Sequence, residues 1–295
     1  MAESLNRRLR QTLVRGAGLL LPGAANALAA RVIVASGFEA VYVTGAGIAN
    51  TALGVPDLGL VTLTELVEHV MAIREAVEVP LVVDGDTGFG NPLNMRRTVR
   101  LLERAGANAI QIEDQVFPKR CGHFDGKAVI GTSPMVQKIK AAVDARQDAA
   151  FLIIARTDAR AVEGFDAAIE RAATYRAAGA DVLFVEAPQS VDELAAIPRR
   201  LPGPHIANIV FGGKTPALPR TQLADMGFAG IIYANAALQA AVAGMGRVLR
   251  HLAATGSLAG IEDGLASFKE RQTLVDYDAF IALDRRYAET AEGEK

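Results

Sequence analysis

Leu81-Val82-Val83-Asp84-Gly85-Asp86-Thr87-Gly88-Phe89-Gly90-Asn91-Pro92 contains one complete unit of the architecture. An apolar run ends in a carboxylate, a glycine-rich loop follows, and Asn-Pro opens an amphipathic segment with a helix cap and an N1 proline. The unit recurs. β-rich runs at 19–22, 39–44, 81–84, 109–113, 151–156, 182–186, 205–208 and 230–233 alternate with helical patterns such as 62–77, 92–105, 134–145, 161–178 and 222–226. Ser133-Pro134 and Thr221 give further cap signals. The β-rich runs lack period-2 alternation, so each is expected to be buried on both faces, as in a parallel sheet. Eight βα repeats with no second composition regime indicate a (β/α)8 TIM barrel. A doubly wound open sheet is the alternative that shares this alternation.

Composition narrows the function classes. With 295 residues, 51% apolar, the chain can fill one large core. A formal charge of −2 gives no basic excess, so neither nucleic acid nor an anionic membrane surface is expected as a partner. The single cysteine cannot close an internal disulfide, which suits a reducing compartment. Between residues 16 and 36 the most apolar stretch is broken by Pro22, Gly23, Asn26 and Arg31, so no span or leader is expected. These readings describe a soluble cytoplasmic protein. The expected organisation is a barrel over 1–255 and a helical extension over 256–295, whose charged end, 288–295, is a mobile tail.

A barrel predicts where chemistry sits, because its catalytic groups come from the C-terminal ends of strands. Thr44, Asp84, Glu113, Arg156, Glu186 and Asn208 end apolar runs and should face one mouth. Asp84 and Asp86 stand two residues apart on a glycine-rich loop; Glu113 and Asp57 bring the carboxylates to four, with no matching cations evident. Such a group repels itself unless a divalent ion is present, and all-oxygen ligation with retained waters is the Mg²⁺ or Mn²⁺ pattern. Taken alone, Asp-Gly-Asp also reads as ordinary turn chemistry.

Lys119-Arg120-Cys121-Gly122-His123 follows the fourth strand in a loop rich in proline, glycine and charge. A lone cysteine is usually an inert apolar filler. This one is flanked by Lys119, Arg120 and His123, surroundings that lower a thiol's pKa. With no separate histidine to serve as its base, proton transfer is favoured over covalent catalysis. Thr44-Gly45-Ala46-Gly47-Ile48-Ala49-Asn50 lacks the third glycine of a dinucleotide fingerprint, and Phe211-Gly212-Gly213-Lys214-Thr215 lacks the leading glycine of a P-loop. Neither is read as a nucleotide site.

These residues, with Pro22-Gly23-Ala24-Ala25-Asn26, Gly54-Val55-Pro56-Asp57-Leu58-Gly59, Ile112-Glu113-Asp114-Gln115 and Ala155-Arg156-Thr157-Asp158, resemble the isocitrate lyase/phosphoenolpyruvate mutase superfamily. The resemblance runs from Leu20 to about Leu252. It implies a barrel whose last helix is exchanged between subunits of a homotetramer. It also implies Mg²⁺ or Mn²⁺ contacted by Asp84, with Asp57, Asp86 and Glu113 contributing directly or through water. The substrate's carboxylate would rest on Thr44, Gly45, Ala46 and Arg156, with Gly122, Glu186 and Asn208 completing the pocket. Cys121 matches the acid of the lyase branch, in a loop the mutases lack; Tyr42 and a metal-ordered water are the candidate bases. Val210 stands where lyases of isocitrate and 2-methylisocitrate carry a hydroxyl residue, and Gly212-Gly213-Lys214-Thr215-Pro216 is similar to the branch acting on 2-alkylmalates. Oxaloacetate decarboxylases and phosphonopyruvate-processing enzymes share the implied metal site. A barrel that binds an organic acid without turnover is the alternative outside enzymology.

Overall fold

Asn91 accepts from the amides of Leu93 and Asn94 while the Asn94 side chain returns to the Asn91 amide, so the expected cap is a reciprocal capping box before Pro92. Thr62 and Glu65 build a second box at the helix 63–76. The other two expected caps differ. Gly131 precedes a helix that starts at Thr132, and Pro219 precedes Arg220–Met226; neither makes a side-chain cap bond. The pattern over 161–178 is two helices, Ala159–Val162 and Phe165–Ala177, because the chain passes through Gly164 at φ +97°.

The computed structural model describes residues 4–14, 16–122 and 126–292. Eight parallel strands close into a barrel in sequence order: β1 (Leu19–Ala24), β2 (Val41–Val43), β3 (Leu81–Asp84), β4 (Ala109–Glu113), β5 (Leu152–Thr157), β6 (Val182–Val185), β7 (His205–Asn208) and β8 (Phe228–Tyr233). β8 returns to β1 with Leu19 beside Gly230, which removes the open-sheet alternative. Successive strand residues enter two different cores. Leu81 and Val83 pack outward against the helices, with Val70, Val99 and Leu102, while Val82 joins Leu21, Ile154, Phe184 and Ile206 inside the barrel. Both faces are therefore apolar, which is why the strands do not alternate in sequence.

The inner core has a floor that periodicity did not reveal. A helix at Leu5–Val14 places Leu9 and Leu13, each 1% exposed, into the interior cluster. Its polar face ties to residues just before the strands: Arg10 to Asp181 at 2.9 Å, and Asn6 to Asp148 and Asn108. A methyl at Gly230 would already touch Leu13, Leu21 and Ile206 at 3.3 Å, a sign of how closely this end is packed.

The chain separates into two compact units, residues 1–238 and 239–295. The second is helical, with Phe268–Leu274 and Tyr277–Glu292 following the C-terminal part of the helix Ala236–Thr255. Residues 288–292, expected in the tail, continue a helix. No helix among the described residues is long and apolar enough to cross a membrane.

Candidate active site

The strand-terminal groups gather at the C-terminal mouth. Glu113 and Arg156 are register partners on β4 and β5, and Asp84 lies beside Gln111. Asp84, Asp86, Glu113, Arg156, Glu186 and Asn208 are all buried. Gly85 allows the approach: a side chain there would strike Ile110 and the Gln111 carbonyl, to which the Gly85 amide donates at 2.8 Å. Asp86 then adopts the left-handed region at φ +46°, held by its amide donating to Asp84 Oδ1 (3.2 Å) and its carbonyl accepting from the Glu113 amide (2.8 Å). Backbone strain of this kind persists where surrounding contacts fix it, and it turns Asp86 back toward Asp84.

Three subclusters share the mouth. In the first, the Tyr42 hydroxyl donates to Gln111 Oε1 (2.9 Å) and Gln111 Nε2 donates to Asp84 Oδ1 (3.2 Å). Burial, then the Asp84 charge, pushes the Tyr42 pKa well above its ordinary value, so the phenol stays protonated. In the second, Lys119 Nζ lies 2.5 Å from Asp57 and 2.9 Å from Asp86. Burial opposes that charge, but the surrounding carboxylates outweigh it and hold the Lys119 pKa well above the usual lysine value. Asp86 is pushed up to about 7 by burial, with Lys119 pulling the other way.

The third subcluster centres on Arg156. It forks onto Asp158, with Nε to Oδ2 at 2.9 Å and Nη2 to Oδ1 at 3.1 Å, and it lies 3.3 Å from Glu113 Oε2 and 3.9 Å from Glu186 Oε1. Its guanidinium carbon stands 5.3 Å from the Phe184 ring centre. Burial raises Glu113 well above the carboxylate range despite Arg156, whereas Arg156 and Lys127 overcome burial at Asp158 and hold it at about 2. Asn208 Nδ2 donates to Glu186 Oε1 at 3.3 Å. Asp114 steadies this side, accepting from the Asp158 amide, Thr157 and Tyr175 at 2.7–2.9 Å.

The carboxylates therefore do not lack cations, contrary to the sequence expectation. Lys119 and Arg156 answer them, because the loop after β4 folds its lysine inward toward Asp57 and Asp86, 62 and 33 positions away in the chain. Asp57 reaches the cluster through Lys119. Arg120 is exposed and its side chain lies beside Gly126, so the two cations flanking Cys121 point to different surroundings. Cys121 itself is half-buried. The next residue, Gly122, sits so close to Arg156 Nη2 and Glu186 Oε1 that a Cβ there would collide with both. Thr44 caps the short helix Gly45–Ile48 by accepting from the Gly47 amide at 3.1 Å. Gly45 faces both acids of the loop: its Cβ position is 3.4 Å from Asp84 Oδ2 and 3.5 Å from Asp86 Oδ1. Ala46 follows it in that helix. His123 lies outside the described residues.

Among the described residues no three His, Cys, Asp or Glu side chains converge closely enough to enclose an ion by themselves. The donor set nevertheless suits a water-rich divalent site. Asp84 and Asp86 present oxygens to one space beside Gly45, and Glu113 Oε1 is buried without a hydrogen-bond partner. Mg²⁺ characteristically keeps several waters and takes one or two carboxylates. Asp158, Gln111, Gln115 and Lys127 carry much of the mouth's hydrogen bonding, yet no role follows for them from the sequence motifs.

The phosphoenolpyruvate phosphomutase family profile matches residues 9–253. The chain belongs to this family. Within the wider PEP mutase/isocitrate lyase superfamily it is 42% identical to the 2,3-dimethylmalate lyase of Eubacterium barkeri over 281 residues, covering 95% of this chain and 97% of that one. It is 44% identical to the 2-methylisocitrate lyase of Aeropyrum pernix over 284 residues, 96% of this chain and 91% of the other. Both relatives are carbon–carbon lyases. A crystal structure of 2,3-dimethylmalate lyase superposes with a TM-score of 0.91 at 34% identity, covering 97% and 96% of the two chains. Phosphonopyruvate hydrolase, solved with oxalate and Mg²⁺, superposes at 0.86 with 30% identity over 97% of this chain and all of the other. Enzymes of this family depend on a divalent metal.

Proposed function

We propose that this protein is a Mg²⁺- or Mn²⁺-dependent lyase that splits a 2-alkylmalate or 2-methylisocitrate-type hydroxy acid into a 2-keto acid and a carboxylate. The observation that carries the reading is the seating of Gly122, next to Cys121, against Arg156 and Glu186 within the same mouth as Asp84, Asp86 and Glu113. Cys121 as proton donor, Arg156 as carboxylate anchor and the acidic cluster would then serve one small space. A bound divalent ion would polarise the C2 oxygen and offset the surplus of carboxylates; Asp84 and Asp86 would hold it, with Glu113 through water.

The chain's own residues then do the following. Arg156, Thr44 and the amides of Gly45 and Ala46 hold the substrate's C1 carboxylate, a planar guanidinium being suited to it. The C2 hydroxyl proton leaves to Glu113, which the charge of a bound ion would keep ionised despite its burial and whose Oε1 has no hydrogen-bond partner, while Tyr42 keeps its own proton and orients the oxygen. The C2–C3 bond breaks, C2 becomes a carbonyl, and the electron pair moves to C3 and its carboxylate. Cys121 delivers the proton that C3 needs, with Gly122, Glu186 and Asn208 shaping the pocket around it. The loop 117–127, of which 123–125 lie outside the described residues, would open for entry and close to exclude water from the enolate. Val210 and the Gly212–Pro216 segment favour a 2-alkylmalate over a tricarboxylate.

We also propose a cytoplasmic homotetramer with exchanged C-terminal helices. The helix Ala236–Thr255 buries none of its residues within the chain, and Val242, Met245, Leu249, Phe268 and Phe280 are exposed. An uncovered apolar set of this size suits a subunit interface.

A panel of alkylmalates, 2-methylisocitrate, isocitrate, oxaloacetate and phosphonopyruvate, assayed with Mg²⁺ for keto acid release, tests the reading. The expected result is turnover of an alkylmalate or 2-methylisocitrate, lost on chelation and restored by Mg²⁺ or Mn²⁺. Full activity in metal-free protein, or rearrangement of phosphonopyruvate alone, overturns it.

A further inference from the structure

Cys121 is gripped on both sides by buried side chains that the reaction scheme does not use. The loop carrying it is closed at its base by main-chain bonds, Val116 amide to Ala128 carbonyl and Ile130 amide to Asp114 carbonyl, both 2.8 Å. Gln115, 1% exposed, reaches forward to the residue before the cysteine: its Nε2 donates to the Arg120 carbonyl (2.8 Å) and its Oε1 accepts from the Arg120 amide (3.0 Å). The two main-chain partners dictate the orientation of that amide, since one offers a proton and the other a lone pair. Lys127 reaches back to the residue after the cysteine, donating to the Gly122 carbonyl. The same ammonium pairs with Asp158 at 2.8 Å, and the two side chains are 1% and 0% exposed. Asp158 is the group that forks onto Arg156.

Neutralising Asp158 does not require the lysine, because Arg156 already does so with two hydrogen bonds. Taking a lysine fully out of water is costly, and an apolar side chain of similar length would fill the space without that penalty. What the ammonium adds, and an apolar chain would not, is the bond to the Gly122 carbonyl. We infer that Gln115 and Lys127 are positioning residues for Cys121, one holding each neighbouring peptide, and that Lys127 fastens the closed loop to Arg156 through Asp158. Loop closure and carboxylate binding at Arg156 are then parts of one hydrogen-bonded unit. The inference rests on the lyase reading for its catalytic consequence, but the clamp itself is measurable without turnover.

The test is the rate at which iodoacetamide alkylates Cys121, the only cysteine in the chain, in wild type, Lys127→Met, Lys127→Arg and Gln115→Leu. Thermal unfolding and, where a substrate is found, kcat and KM are measured beside it. Loss of one charge-assisted bond should free the loop enough to speed alkylation of Lys127→Met by about ten- to a hundredfold. kcat should fall by a similar factor with a smaller rise in KM, and Lys127→Arg should recover part of both the alkylation rate and kcat. A lysine with a purely structural role would lower the melting temperature and leave the alkylation rate of the folded protein unchanged. Wild-type alkylation in a folded Lys127→Met protein overturns the inference. If that variant does not fold, wild-type alkylation in Gln115→Leu does the same. Faster alkylation with no turnover of any panel substrate upholds the clamp and removes the lyase reading instead.

Discussion

At one end of the barrel Leu9 and Leu13 enter an interior of Leu21, Val82, Ile154, Phe184 and Ile206; at the other, Asp84, Asp86, Glu113, Asp158 and Glu186 crowd around Lys119, Arg156 and Lys127. The same strands serve both ends. The apolar end is stabilised by removing surface from water, which needs no partner of matching charge. The charged end keeps carboxylates in excess of cations at low exposure, an arrangement that opposes folding unless something positive joins it. Stability and chemistry are therefore separated along the barrel axis, and a substitution should disturb one with little effect on the other.

The largest departure should come from Asp84→Ala. Release of keto acid should become undetectable and Mn²⁺ binding, measured calorimetrically, should vanish, while the melting temperature stays within a few degrees of wild type. A collapse of the fold would mean that the charged end bears stability too. Cys121→Ser comes next. A weaker acid should reduce kcat by roughly 10²–10⁴-fold with KM almost unchanged; wild-type turnover would remove the cysteine from the chemistry. Leu13→Ala tests the opposite end. The cavity should destabilise the protein by about 2–5 kcal/mol in denaturant unfolding and leave kcat/KM of the folded fraction intact.

The last test is a pH dependence. Asp86 has a folded pKa of about 7 against an ordinary 3.8, so between those values the folded state holds a proton that the unfolded state has released. Its contribution to metal-free stability therefore declines as pH rises from 3.8 to about 7 and levels off above. Comparing wild type with Asp86→Asn by thermal unfolding isolates that contribution. The asparagine protein should be relatively more stable at pH 8 than at pH 4, and added Mg²⁺ should narrow the difference by stabilising wild type alone. A pH-independent difference between the two proteins would contradict the assignment.

The sequence made the barrel legible for a physical reason: strands apolar on both faces leave contiguous runs, and six of the eight runs here end in a polar residue of the mouth. The floor was less visible. Residues 5–14 read LNRRLRQTLV, in which Leu9 and Leu13 are too few to announce a helix, and their burial depends on strands far along the chain. Pairings at the mouth were hidden for the same reason. Lys119 was legible as a neighbour of Cys121, but its bond to Asp57 spans 62 residues, and the Lys127–Asp158 pair spans 31. Asp158 and Gln115 stood inside recognisable blocks without any local signal of what they hold. Gly164 was the one break that could have been anticipated, since glycine within a helical pattern weakens it.

The floor made by Leu9 and Leu13 has a kinetic consequence. Among the described residues that end is filled, so a ligand that enters by the mouth leaves by the same door. Cleavage turns one molecule into two behind that door, so departure is a queue. On the proposed mechanism the fragment carrying C3, next to the Cys121 loop, would stand nearest the door, with the keto acid held by Arg156 behind it. Product-inhibition kinetics should show this order, with the keto acid competing directly with substrate and the other fragment acting noncompetitively.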